Sequence, residues 1–235
     1  MERRNTRQTR EIVVPGDVLD GTGMKPGDYA YVQDGKVRAS VMGVRNVFQN
    51  TVGVIPLRGC YMPSSGDTVI GVIVDIGPSN WLVDIGAPYP APLHVNEVPW
   101  RVEFGDTSRY LGMGNVVLLK VLSVDESKKI QVTMKDSGLR KLEGGRLVKI
   151  SHSKVSRVIG KQGSMISMLK NMTDCRITVG QNGMVWIDGD EENADVAAKA
   201  VMMIEELAQC SNLTDRIKEF IENKLPQSDE EEGDE

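Results

Sequence analysis

The chain has 235 residues, with 28 Lys and Arg against 33 Asp and Glu, a formal charge of −5 at pH 7. At roughly 100 to 200 residues per domain, that length holds two or three modest domains rather than one large one. Taken whole, the acidic balance argues against a nucleic-acid binder, while 24 glycines and only 5% aromatic residues point to turn-rich β units with thin aromatic cores. Cys60, Cys175 and Cys210 are too far apart to form the close pairs of a zinc or redox motif, and are expected to be reduced and buried in a cytosolic protein. Two histidines, His94 and His152, are too few for an imidazole metal site, so neither a metal nor a cofactor is expected. After the basic start, only Ile12, Val13 and Val14 precede Pro15 as an apolar run, which is far short of a signal-peptide core. No run approaches membrane-spanning length, so no membrane partner is expected.

The first ten residues carry Arg3, Arg4, Arg7 and Arg10, a basic arm. From Ile12 to about Pro63, short Val/Ile/Tyr runs alternate with Gly and Pro, as in Val13-Val14-Pro15-Gly16-Asp17 and the Gly21 to Tyr29 segment, which predicts a small antiparallel β unit. A second β segment starts at Gly66-Asp67, with strands expected at Val69 to Ile76, Trp81 to Ile85, Val116 to Val124 and Lys129 to Met134. Strands this short suit a small closed barrel, although their order is not legible. Asp125 to Lys128 interrupts the apolar alternation as a polar hairpin connection. After Gly144-Gly145 the period changes. Arg146 to Ile150 reads as a strand, Val155, Val158 and Ile159 as a short helix, and Met165, Ile166, Leu169 and Met172 as a second helix. Two further strands, Cys175 to Val179 and Met184 to Asp188, are joined by Gly180-Gln181-Asn182-Gly183, whose Asn-Gly is a hairpin signal. Ala197, Val201, Ile204 and Ala208 mark a third helix, and Leu213, Ile217, Phe220 and Ile221 an extra one packed on the outside. The methionines of these stripes read as core.

Charge is segregated along the chain. Six of the last seven residues, from Asp229 to Glu235, are acidic. Taking those six charges from −5 leaves the remainder at +1, and the tail itself is expected to be solvated and disordered. By contrast, Gly144 to Thr173 holds Arg146, Lys149, Lys154, Arg157, Lys161 and Lys170 and no acidic residue, a patch that attracts phosphates. Within it, Gly160-Lys161-Gln162-Gly163 lies between two helices and lacks the spacing and Lys-Ser/Thr ending of a nucleotide P-loop. Two glycines around two polar residues let the backbone approach a phosphate chain closely. The helix opening at Ser164 directs free N–H groups and its positive end into the loop. Val158 and Ile159 are expected to wall one side of a groove, and Ile177 and its strand to floor the other, which suits unpaired bases.

Val158-Ile159-Gly160-Lys161-Gln162-Gly163-Ser164-Met165-Ile166, followed by Leu169, Thr173, Ile177, Val179, Val185, Ile187 and Gly189, closely resembles the KH domain, whose Gly-x-x-Gly loop clamps about four nucleotides of backbone. The resemblance implies a type I KH fold, in the order strand-helix-helix-strand-strand-helix, and an RNA contact made by Arg157, Ile159, Gly160, Lys161, Gln162, Gly163 and Ser164. Val69 to Ile73, Trp81 to Gly86, Leu93-His94-Val95 and Lys120 to Asp125 resemble the OB-fold RNA-binding domain named after ribosomal protein S-one. In that family two phenylalanines and a histidine stack on bases. Here His94 stands at the histidine position, Gly77 to Leu82 lacks the phenylalanines, and Trp81 is the shifted substitute. With Lys120, these residues form the implied barrel contact, and barrel-rim packing is the alternative role for Trp81 and His94.

Arranged as a β domain, a barrel and one KH unit, with a junction at Tyr61 to Gly71 and a start at Val14 to Asp17, the chain resembles the RNA-binding cap subunits of the archaeal exosome, the ribosomal-RNA-processing protein 4 family. The resemblance implies a mainly β then α+β protein divided as 1–64 (β, docking on a ring), 65–140 (barrel), 145–225 (KH with an extra helix) and 226–235 (acidic tail). It further implies a cytoplasmic, non-catalytic subunit. Three copies would sit on a hexameric phosphorolytic ring, capture single-stranded RNA and guide its 3′ end into the channel. The alternatives are a transcription or translation factor built from the same modules, or a metal-dependent ribonuclease. Asp17, Asp20 and Asp28 are the nearest approach to a carboxylate cluster, yet Asp17 and Asp28 each follow a glycine at a turn, so no catalytic residue is assigned.

Overall fold

The computed structural model of the protein describes residues 11–20, 23–57, 59–125, 127–208, 210 and 212–225. The basic arm, Gly21, Thr22 and the acidic tail lie outside the described residues. These divide into two compact units between Gly59 and Cys60.

The first unit holds seven strands: β1 (Ile12–Val13), β2 (Val18–Asp20), β3 (Lys25–Pro26), β4 (Ala30–Gln33), β5 (Lys36–Ala39), β6 (Gly43–Phe48) and β7 (Thr51–Pro56). They form one sheet in the order β1-β6-β7-β3 and another in the order β2-β5-β4. The expected antiparallel unit is corrected at one place, because β3 runs parallel to β7, with Lys25 opposite Thr51. Val13, Leu19, Val37, Ala39, Val52 and Val54 make its core.

The second unit begins with a barrel of β8 (Thr68–Ile76), β9 (Asn80–Asp84), β10 (Ala91–His94), β11 (Val116–Val124) and β12 (Ile130–Thr133). Its strands run β12-β10-β9-β8-β11, and the ring closes by pairing β12 with β11. The β10–β12 pair is parallel, which gives the OB order. Register shifts at Ile73/Asp75 in β8 and Val121/Ser123 in β11 bend the long strands around the barrel. Val117, Leu119 and Val121 alternate inward against Ile73, Trp81, Val83 and Leu93. The Asp125 connection is the polar turn expected. Its carboxylate accepts from Lys129 N at 2.7 Å and Ser127 Oγ at 2.8 Å, and these bonds hold the carboxyl below its ordinary range. The segment between β10 and β11 carries α1 (Thr107–Tyr110), and β13 (Lys141–Leu142) adds to β11.

The rest is β14 (Arg146–Lys149), α2 (Val155–Ile159), α3 (Ser164–Thr173), β15 (Arg176–Val179), β16 (Met184–Asp188), α4 (Glu191–Glu206) and α5 (Leu213–Lys224), with an antiparallel sheet in the order β14-β16-β15. This is the type I KH order. Val158, Leu169, Ile187, Ala197, Val201 and Ile204 form one core with Ile217 and Ile221 of α5. The extra helix is therefore not an outer appendage, because its apolar stripe completes the KH core. The expectation of three buried cysteines is also corrected: Cys175 is buried, whereas Cys60 and Cys210 are exposed.

Every residue from Met184 to Ile187 is buried. Val185 and Ile187 face the helices, while Met184 and Trp186 face Ile70, Leu118 and Leu142 of the barrel. A sheet strand that is apolar on both faces needs a cover on each, and the barrel supplies the second. The hairpin after β15 seals this junction. Asn182, 3% exposed, donates through Nδ2 to Ile70 O (2.7 Å) and Ile85 O (2.8 Å), and its Oδ1 accepts from Ile70 N (3.3 Å). Gln181 N donates to Thr68 O at 2.8 Å, and Thr68 N donates to Gln181 Oε1 at 2.6 Å. Gly183 has φ +84°, and a Cβ there would lie 2.2 Å from Ile150 O, so only glycine fits.

On the same side Tyr61 meets the His152 ring edge-on, with centroids 6.2 Å apart. Burial, and then the bond from its hydroxyl to Asp67, push the Tyr61 phenol up. Burial also lowers the His152 imidazole below its ordinary value. A base whose folded value is depressed binds its proton more readily unfolded. His152 therefore subtracts nothing above its unfolded value of about 6.5 and destabilises increasingly as pH falls below it. The melting temperature of the protein should accordingly fall relative to that of His152→Phe between neutral pH and mildly acid pH. Thermal melts of both forms across that range check this, and parallel curves would contradict it.

Candidate nucleic-acid interface

The KH loop is shaped by backbone requirements. α2 ends at Gly160, whose φ is +76° and whose N–H donates to Ser156 O at 3.0 Å. A Cβ on Gly160 would lie 2.7 Å from both Met165 N and Met165 Cβ, so any side chain there would collide with the start of α3. Gln162 (φ +54°) and Gly163 (φ +81°) stay in the left-handed region, which turns the chain back onto α3. Nothing lies within 4 Å of a Cβ placed on Gly163, so that glycine is needed for conformation and open access rather than for packing. α3 starts immediately after it with no side-chain cap. Its first-turn N–H groups and positive end therefore face the loop.

Lys161, Gln162, Ser164 and Arg157 are exposed around this turn, and Ile159 is half-buried beside it. Arg146 is paired with Asp195 of α4. Among the described residues Lys149, Lys154, Arg157, Lys161 and Lys170 have no ion-pair partner. The chain stretch free of acids is thus narrowed by folding, because α4 brings Asp195 to its first cation and Glu205 to Ser151. The cations around the loop stay unopposed, which is what phosphate contact requires. The expected groove walls need correction. Val158 is fully buried and Ile177 is 3% exposed, both inside the KH core. Half-buried Ile159 and Ile166, with Val179 on the edge strand β15, are the partly exposed apolar side chains on the helix face of the sheet.

On the barrel, Trp81 is corrected outright. It is fully buried, and its indole N–H donates to Leu111 O at 3.1 Å, so its faces are taken by the core and no base can stack on it. His94 is exposed at the end of β10, where Nδ1 accepts from Asn96 N at 3.1 Å and caps the turn that follows. Lys120 points outward from β11 and is held by Asp136 at 2.6 Å. Of these three residues the fold turns only Trp81 into the barrel interior, while His94 is exposed and Lys120 half-buried. Sequence reasoning passed over Asn182, which it took for a turn former. The signal that could have found it is the unbroken apolar run of β16, since a three-stranded sheet covered by helices on one side has no reason to bury the other.

Among the described residues no group of three or more His, Cys, Asp and Glu is gathered as metal ligands, and no helix is long and apolar enough to cross a membrane. Asp17 accepts from Val14 N (2.8 Å) and Asp20 from Met24 N (3.1 Å), so both carboxylates stabilise turns.

Comparison with known proteins finds matches over most of the chain. Residues 12–47 match the family profile described as the exosome complex exonuclease RRP4 N-terminal region, 62–135 the S1 RNA binding domain, and 146–206 the KH domain. The exosome complex component Rrp4 of Methanosarcina acetivorans is 47% identical over 215 residues, covering 92% of this chain and 83% of that protein. The exosome complex component Rrp4 of Thermoplasma acidophilum is 43% identical over 221 residues, covering 94% and 93%. A crystal structure provisionally named for an exosome complex RNA-binding protein superposes with a TM-score of 0.66 at 36% identity, covering 72% of this chain and 98% of that one.

Proposed function

The chain belongs to the Rrp4 family of exosome complex components, and on that premise we propose that it is a non-catalytic RNA-binding subunit of a cytoplasmic exosome. It captures single-stranded RNA and directs the 3′ end to a phosphorolytic ring for 3′-to-5′ degradation and processing. The observation that carries this reading is the Gly160 to Gly163 turn, an open backbone bend at the uncapped start of α3 ringed by cations without acidic partners. Arg157, Ile159, Gly160, Lys161, Gln162, Gly163 and Ser164 hold the RNA backbone in this reading, and the barrel, sealed to the KH sheet by Asn182, extends the same path.

In this reading residues 1–64 dock on the ring, 65–140 are the barrel and 145–225 the KH part, followed by the acidic residues of 226–235. Support for docking comes from β-sheet register. Ile12 stands opposite Val44, and Val44 opposite Ile55, so the three share a face. Ile12 and Ile55 are exposed, and so is Phe48, which lies four residues beyond Val44 and hence on the same face of β6. Exposed apolar side chains gathered on one face favour a protein contact. Three copies on a six-membered ring complete the proposal, with weak contacts of each copy multiplied by linkage.

The word exonuclease in the description of the N-terminal profile is not matched by chemistry there, since Asp17 and Asp20 are engaged in turns. Incubated alone with end-labelled single-stranded RNA, magnesium and phosphate, the chain should leave the RNA intact. Reconstituted with ring subunits, it should speed phosphorolysis of the same RNA. Specific cleavage by the isolated chain overturns this reading.

A further inference from the structure

We propose that bases of single-stranded RNA stack on Phe104 and Tyr110, two aromatics carried by the segment between β10 and β11 at one end of the barrel. This rests on the RNA-binding reading above and gives the barrel the stacking surface that buried Trp81 cannot provide. Phe104 is 83% exposed and Tyr110 40% exposed, an unusual state for side chains that gain so much from burial. Both are held in place. The Tyr110 ring stacks on Trp100 at 6.0 Å and 11°, and its hydroxyl donates to Arg101 O at 3.0 Å. Next to Phe104, Gly105 N donates to Pro78 O at 3.0 Å, and Thr107 Oγ1 donates to Gly77 O at 2.7 Å. The segment is therefore tied to the turn joining β8 and β9, the first two barrel strands. In OB barrels that loop and the adjoining second and third strands are where oligonucleotides lie. His94 N-terminal to the segment, with Val95 N bonded to Ser79 O, belongs to the same end.

The occupant is chosen by charge. Arg101 and Glu103 are both exposed, and Arg109 is paired with Asp106 at 3.0 Å, so cations do not dominate the neighbourhood. A ligand held here must be held by ring faces, and bases offer those regardless of sequence. Stacking and phosphate attraction differ in their response to salt. Contacts that displace counterions weaken as salt rises, whereas stacking does not depend on them.

The test uses the full chain, Phe104→Ala alone and Phe104→Ala with Tyr110→Ala, and fluorescence anisotropy of a labelled oligoadenylate of about 12 nucleotides, within the span of one OB barrel. The double variant is expected to bind roughly five- to a hundredfold more weakly, the range for removing a stacking residue, by the same factor at low and high salt. Phe104→Ala alone, which disturbs almost no packing, should give part of that loss with an unchanged melting temperature. If both variants bind like the parent while Lys161→Asp binds weakly, the stacking site is overturned and the RNA-binding reading stands. If Lys161→Asp also binds like the parent, that reading itself falls. A loss confined to low salt, or intact RNA affinity with loss of ring binding, likewise overturns the stacking site, the latter because the aromatics would then be a protein contact.

Discussion

Asn182→Ala is expected to destabilise the chain by about 3 kcal/mol, from roughly 1 kcal/mol or more for each buried backbone group left without a partner. Three such groups depend on this one amide, namely the N–H and C=O of Ile70 and the C=O of Ile85, and at 3% exposure water cannot easily replace it. A change of that size lowers the melting temperature by about 6 to 12 °C in a protein of this length. The loss falls on the junction rather than on either core. Urea unfolding followed by near-ultraviolet signals should therefore show separate transitions for the barrel and the KH part, where in the parent these two parts unfold together. Because the barrel and the KH loop would no longer be held in one register, RNA affinity should fall as well, although no RNA-contacting residue is changed. A stability loss under about 0.5 kcal/mol, the usual size for a surface substitution, would mean that Asn182 is not the latch.

The second large effect concerns binding without folding. Lys161→Asp combined with Gly163→Asp should weaken single-stranded RNA binding by roughly tenfold to a hundredfold or more, since each charge-assisted bond contributes about 1.5 to 3 kcal/mol and the new carboxylates repel phosphates. The choice of Gly163 over Gly160 follows from geometry. A side chain at Gly160 meets Met165 at 2.7 Å, whereas one at Gly163 meets nothing within 4 Å. Aspartate tolerates the left-handed conformation of Gly163 at a cost of about 1 kcal/mol, so the melting temperature should move by only a few degrees. The deficit should shrink as salt rises, because the lost contacts are those that displace counterions. Unchanged affinity at low salt would remove the loop from the interface. Gly160→Asp, by contrast, should damage α3 itself and cannot distinguish binding from folding.

Much of this was legible along the chain because it rests on local physics. Strands β8 and β11 span the apolar runs that mark them, Thr68–Ile76 and Val116–Val124. The Gly-x-x-Gly turn is legible because only glycine takes those backbone angles cheaply, and the helices around it because Met165 and Leu169 recur at helical spacing. Side-chain direction was less legible. Val158 precedes the loop and Ile177 lies in the strand after α3, but each is turned into the core by the element that carries it, leaving Ile159 half-buried beside the loop. Trp81 failed for the same reason. Its strand parity sets it inward opposite Leu93, and a one-residue shift moves a side chain to the opposite face.

The chain alone determined which modules are present, their order, and the segregation of acidic tail from basic loop, because periodicity, turn chemistry and charge are properties of neighbours in sequence. Tertiary structure decided what those modules do to one another. Asn182 becomes a latch only because Ile70, 112 residues away in sequence, lies across from it. The extra helix becomes core only because Ile217 and Ile221 close the KH interior. The six-cation stretch becomes a smaller unopposed cluster only because α4 returns Asp195 to Arg146. Each is a contact between distant segments, and no local pattern encodes which surfaces meet when both faces of a strand must be covered.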